Sequence, residues 1–186
     1  MSKLTVEEIR KRFELSKEFN EIFDAFEQAL EQRLSDIDLY KQLFWNHTLT
    51  PDELCLFGEK IAKEFTPIAY DAYMWLGEVF EVTYSMFDNY ELALEYYKKA
   101  ASVKPSELTP YLSAADCYEQ DLNIPPVTSL IEFLKRGSEH VSEAKPLYEK
   151  LVRFYDVVGN DEMRSYYRRK GEQGTADPPQ ENPPQQ

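Results

Sequence analysis

Few residues in this chain could do covalent or metal chemistry. Its histidines are His47 and His140, and its cysteines are Cys55 and Cys117. Metal-assisted hydrolysis on a helix needs His-Glu-x-x-His, a redox pair needs Cys-x-x-Cys, and a phosphate cradle needs a glycine-rich loop. None of these occurs in the sequence. Glu-x-x-His, required twice for a di-iron site in a helical bundle, does not occur once. Cys55 and His47 would supply a nucleophile and a base, but no third group orients the imidazole. Glu78 and Glu81 fall on one helix face, yet carboxylates are common in a chain with 34 Asp and Glu. The expectation is a protein with no catalytic residue, no metal and no cofactor, and with both thiols buried and inert. What remains for function is a surface.

The elements that would carry such a surface are helices. Glycine is scarce (6), tyrosine (13) and phenylalanine (11) are plentiful, and helix formers dominate the 186 residues. The formal net charge of −13 argues against nucleic acid, whose phosphates require clustered Lys and Arg, and against an anionic membrane surface. A charged partner is expected to be basic, with attraction that weakens as salt rises. No apolar run approaches a membrane span, and Met1 to Arg10 lack the apolar core of a signal peptide, so a cytoplasmic location is expected. The Asn46-His47-Thr48 sequon is then read as chance.

The clearest architecture lies between Tyr73 and Pro105. Tyr73, Leu76, Gly77 and Phe80 make one stripe of a first helix, Ala93, Tyr97 and Ala100 the same stripe of a second, and Pro105 ends it. Gly77 would let the second helix approach closely. This stretch resembles the tetratricopeptide repeat, W-x2-L-G-x2-Y, then A-x3-F, then P. It departs in length, because Gly77 and Ala93 are sixteen apart, about one helical turn more than the family pattern. Either the first helix runs on through Glu81 toward Met86, or the Ser85–Tyr90 turn is enlarged.

Other segments fit around this repeat. Residues 5–34 read as helix, opened by a Thr5/Glu8 capping box and interrupted at Ser16 and Asn20, so a kink or two shorter helices both fit. They would form an N-terminal cap (1–35) or a homodimerisation helix. Residues 36–67 make a degenerate repeat with Cys55 at the small position, Thr50 and Pro51 opening the second helix, and polar Gln42 and Asn46 where apolar residues are expected. Residues 108–142 make a third repeat, with Tyr111, Ala114, Ala115 and Tyr118 on its first helix and Leu130, Leu134 and Gly137 on its second. Residues 144–170 make a fourth pair, divided at Gly159-Asn160-Asp161, with a basic end at Arg164, Arg168, Arg169 and Lys170. The expected solenoid thus spans 36–170, with three to four helix pairs. The Pro/Gln-rich remainder, 171–186, reads as a disordered tail.

The resemblance to tetratricopeptide proteins implies that the first helix of each pair lines a concave groove. Its groove positions carry over to Tyr40 and Phe44; to Met74, Glu78 and Glu81; to Leu112 and Asp116; and to Tyr148 and Tyr155. The implied partner is an extended peptide with apolar anchors and basic residues, held by an adaptor or chaperone. A closer resemblance covers residues 70–120. Pro110, Ala115, Asp116 and Cys117, with Leu76-Gly77 and the Tyr90–Ala93 run, are similar to the class II chaperones of type III secretion. That likeness implies a chaperone of translocator subunits, although the family's histidine is missing here. An assembly subunit that oligomerises through the N-terminal helix is the alternative.

Overall fold

A computed structural model describes residues 3–83 and 87–173 of the chain. These residues form ten α-helices and one short 3-10 turn, with no strand beyond the isolated bridge Glu119–Ile124. They divide into two compact units, residues 1–103 and 104–186.

The first unit opens with α1 (Val6–Leu15) and α2 (Phe19–Glu31). The Thr5/Glu8 capping box forms in full, Thr5 accepting from the Glu8 amide at 3.2 Å and Glu8 accepting from the Thr5 amide at 2.7 Å. Of the two readings of residues 5–34, two shorter helices is the one adopted. The last carbonyls of a helix have no partner inside it, and Asn46 supplies one from a distance. Its Nδ2 donates to Phe13 O at 2.8 Å and Ser16 O at 3.0 Å, while its Oδ1 accepts from the Thr48 amide. Asn46 is buried. The sequon spacing therefore belongs to a local turn that clamps the end of α1, and the polar residue at an apolar position has a structural task.

α3 (Ile37–Phe44) and α4 (Pro51–Glu64) follow, then a 3-10 turn at Thr66–Ile68, α5 (Ala69–Val82) and α6 (Phe87–Val103). α3 packs on both α1 and α5, first helix against first helix, and α4 packs on α5. α1 and α2 also pack on each other. They form the N-terminal helix pair of this unit, and Ile9, Phe13, Ile22 and Phe26 are buried in its core. The extra turn between Gly77 and Ala93 is shared: α5 extends to Val82, and α6 already starts at Phe87. Residues 84–86, including Tyr84, lie outside the described residues.

Gly77 performs the expected role, because a Cβ there would stand 2.6 Å from the Tyr97 ring. In the preceding pair the small position is Gly58, not Cys55. A Cβ on Gly58 would overlap the Leu76 side chain, whereas Cys55 is half-buried beside Tyr96.

The second unit holds α7 (Thr109–Asp116), α8 (Val127–Ser138), α9 (Lys145–Val157) and α10 (Asp161–Gln173). α7 and α8 both pack on α9, and α9 packs on α10. A Cβ on Gly137 would lie 2.5 Å from the Tyr111 ring, the same close approach as in the first unit. The loop before α8 closes on itself through Glu119 N to Ile124 O at 2.8 Å, and Asn123 Oδ1 caps α8 by accepting from the Val127 amide. Gly159, at φ 71°, reverses the chain after α9, in the left-handed region that glycine tolerates best. α10 takes in Gly171–Gln173, which shortens the expected tail, and residues 174–186 lie outside the described residues.

Candidate functional site

Helices 37–44 and 69–82 lie side by side and leave one face between them open. On α3 and its C-cap, Ile37, Lys41 and Trp45 follow one another at i, i+4 and i+8. On α5, Asp71, Trp75, Glu78 and Val82 follow at i, i+4, i+7 and i+11. Lys41 and Trp45 of the first row meet Trp75 of the second, and Asp71 and Glu78 lie in electrostatic reach of Lys41. Trp45 and Trp75, the chain's two tryptophans, meet edge to face at 6.3 Å between ring centres, and His47 stands 6.5 Å from Trp45. Trp45 is 38% and Val82 60% exposed, large fractions for side chains of that size. Trp75 is half-buried.

Charge on this face is uneven. The Lys41 Nζ sits 4.8 Å from the centre of the Trp75 ring, a cation over the negative face of an indole, and bonds Asp38 at 2.8 Å. Asp38, Asp71 and Glu78 all attract Lys41. Burial holds the Glu78 carboxyl above the usual carboxylate range, Glu81 adds to the rise, and Lys41 opposes it. The Trp75 indole N–H is buried and meets no acceptor among the described residues.

The residues expected to line a groove distribute differently. Tyr40 and Phe44 are core, at 0% and 1% exposure. Tyr40 packs against Phe13, Phe26 and Phe65, and its hydroxyl donates to Leu34 O at 2.6 Å. They correct the register of the degenerate repeat by one residue: α1 claims the Tyr40/Phe44 side of α3, and Lys41 and Trp45 are left outside. The same shift applies on α5, where Met74 is buried and Trp75 faces out. Glu78 does belong to the open face. Glu81 is half-buried and accepts from the Tyr97 hydroxyl at 2.7 Å. Sequence reasoning missed Trp45, Trp75 and Lys41. The available signal was that both tryptophans become neighbours if each first helix is rotated by one residue.

The remaining expected residues sit in the second unit. Leu112 is half-buried, and Asp116 is exposed and paired with Lys150. Tyr155 is buried and stacks on Tyr167 at 5.6 Å. Tyr148 lines a cleft of about 460 Å³ between α9 and α10, with Val152 and Tyr167 as its apolar wall and Lys145, Glu149, Arg168 and Glu172 at its edge. Lys170 lies over the Tyr148 ring at 5.2 Å. The basic end of α10 is partly tied down, since Arg164 is paired with Asp156 and Asp161.

Groups of chemical interest are accounted for in packing. Burial pushes the Cys55 thiol up, and Cys117 is buried with its Sγ donating to Ser113 O at 3.3 Å. Among the described residues no group of three or more His, Cys, Asp or Glu could hold a metal ion, and no helix is long and apolar enough to cross a membrane.

No family model matches the chain, and no curated protein matches it. Among solved structures, a chain in the complex of Naa15/Naa10 bound to HypK-THB is similar, with a TM-score of 0.52 and 15% identity. The match covers 94% of this chain and 25% of that one, so this chain spans about a quarter of the neighbour's length. The neighbour is a tetratricopeptide-type helical solenoid. The likeness shows the fold: all-α, of the same helical-repeat type.

Proposed function

We propose that this protein is a non-catalytic protein-binding module, and that the α3/α5 face is where it grips a partner. One observation carries the reading. The chain's two tryptophans stand together, partly exposed, Trp45 at the C-cap of α3 and Trp75 on α5. Tryptophan is enriched among the few residues that dominate binding energy at interfaces. Exposing it without a partner leaves apolar area in water that a partner would cover. The similar solved chain comes from a complex in which Naa15/Naa10 is bound to HypK-THB, which supports a partner-holding role for the fold.

The partner is an extended peptide segment with an apolar anchor and basic residues, matching the acids around Trp75. An adaptor or chaperone in the cytoplasm fits this role, and a chaperone of type III secretion translocators is its most specific form, supported by the Pro110–Cys117 resemblance alone. The alternative of an assembly subunit joined through its N-terminal helix is less well supported, because Ile9 and Phe13 of that helix are buried in its own unit.

Affinity capture with the wild-type chain and Trp45→Ala is the test. Loss of about tenfold or more in partner affinity, with helicity unchanged by circular dichroism, is expected for an interface anchor. Undiminished capture by Trp45→Ala would remove the face from consideration. A captured translocator subunit would establish the chaperone reading, and its absence from the native secretion host's lysate would end it.

A further inference from the structure

The cation already seated on Trp75 says more about the partner, on the premise that the α3/α5 face is the binding surface. Lys41 is a weakly held occupant. Its side chain is 33% exposed and its partner Asp38 70% exposed, and ion pairs this open contribute little. Four carboxylates, Asp38, Asp71, Glu78 and Glu81, are in electrostatic reach of Lys41 or of Glu78, against the Lys41 ammonium and the Arg10 guanidinium, which reaches Asp38. The face is therefore under-neutralised, within a chain of net charge −13. A guanidinium stacks on an indole better than an ammonium does and gives up its hydration more readily.

We propose that Lys41 is a placeholder and that an arginine of the partner peptide displaces it from the Trp75 ring. In the exchanged state the guanidinium lies on Trp75 and reaches toward Glu78 and Asp71. Lys41 remains with Asp38 in solvent. The ligand class is thus an arginine-bearing extended segment, with an apolar neighbour for Trp45.

Intrinsic fluorescence reads this event directly, because both tryptophans of the chain lie at the site. The full chain is titrated with an acetylated, amidated peptide carrying one arginine between two leucines, and with its citrulline twin, which keeps the shape and loses the charge. The arginine peptide is expected to change the emission saturably and the citrulline peptide to bind more weakly. Lys41→Met, which removes the resident cation and keeps the stem, is expected to tighten arginine-peptide binding by about two- to fivefold, the worth of one exposed cation–π contact. Glu78→Gln is expected to weaken it. Equal response to the two peptides, or unchanged or weaker binding by Lys41→Met, overturns the exchange. If both peptides bind alike and Trp45→Ala still lowers partner capture, the face stands and only the arginine exchange falls. If Trp45→Ala leaves capture intact, the face itself falls.

Discussion

Asn46 shows how one side chain can secure the end of a helix 30 residues away. Its carboxamide donates to two carbonyls at the end of α1 and accepts from Thr48, so it satisfies groups that an apolar residue would leave bare. Asn46→Ala is expected to cost about 1–3 kcal/mol, the penalty of buried unsatisfied carbonyls, measured by urea denaturation. A loss within a few tenths would show that water replaces the carboxamide. Glu78 gives a second test, in pH. Its carboxyl is raised above its unfolded value chiefly by burial, so the charged form destabilises the fold above the folded pKa. That cost fades as pH falls through the folded pKa toward the ordinary carboxylate range. Glu78→Gln should accordingly raise the Tm at about pH 7 and leave it little changed at about pH 4. A lower Tm at neutral pH would mean that attraction to Lys41 outweighs burial.

At the scale of elements, the two units rest on the same device: a glycine on one helix against an aromatic ring on its neighbour. Gly77 meets Tyr97 and Gly137 meets Tyr111, and in both cases the ring is buried. Neither ring swings away easily, since the Tyr97 hydroxyl is bonded to Glu81 and the Tyr111 hydroxyl to Pro105 O. Gly77→Ala and Gly137→Ala are each expected to destabilise by about 1–3 kcal/mol through overpacking. Thermal melts should register this as about 2–4 °C per kcal/mol. Capping acts more gently. Thr50→Ala removes one half of the exposed Thr50/Glu53 box and should cost about 1 kcal/mol. These devices were legible from the sequence, because Gly77, Thr5 with Glu8 and Thr50 with Pro51 are local signals. The small position before α5 was not legible: Cys55 and Gly58 lie three apart on one helix, and only the position of Leu76 distinguishes them.

For the whole molecule, the dominant quantity is charge. With a net −13, association with a basic segment should be accelerated at low ionic strength and slowed as screening sets in. The association rate of a captured partner, followed by surface plasmon resonance, should fall severalfold between about 50 and 300 mM salt. A salt-independent rate would mean that the apolar anchors alone bring the partner in. The fold itself, all-α helical pairs of the tetratricopeptide type, followed from stripes that recur every three to four residues and from the Pro and Gly that punctuate them.

Sequence by itself thus determined the helical class, the order of most elements and their caps, since each depends on residues a turn or less apart. It did not determine which side of the first helices faces out. On α3 the adjacent pairs Tyr40/Lys41 and Phe44/Trp45 offer two apolar-looking stripes about 100° apart, and on α5 Met74/Trp75 repeats the ambiguity. Only tertiary packing chose between them. The core residues Phe13, Phe26 and Phe65 enclose Tyr40, and that leaves Lys41, Trp45 and Trp75 on the open face. The candidate site exists because the core took the other stripe.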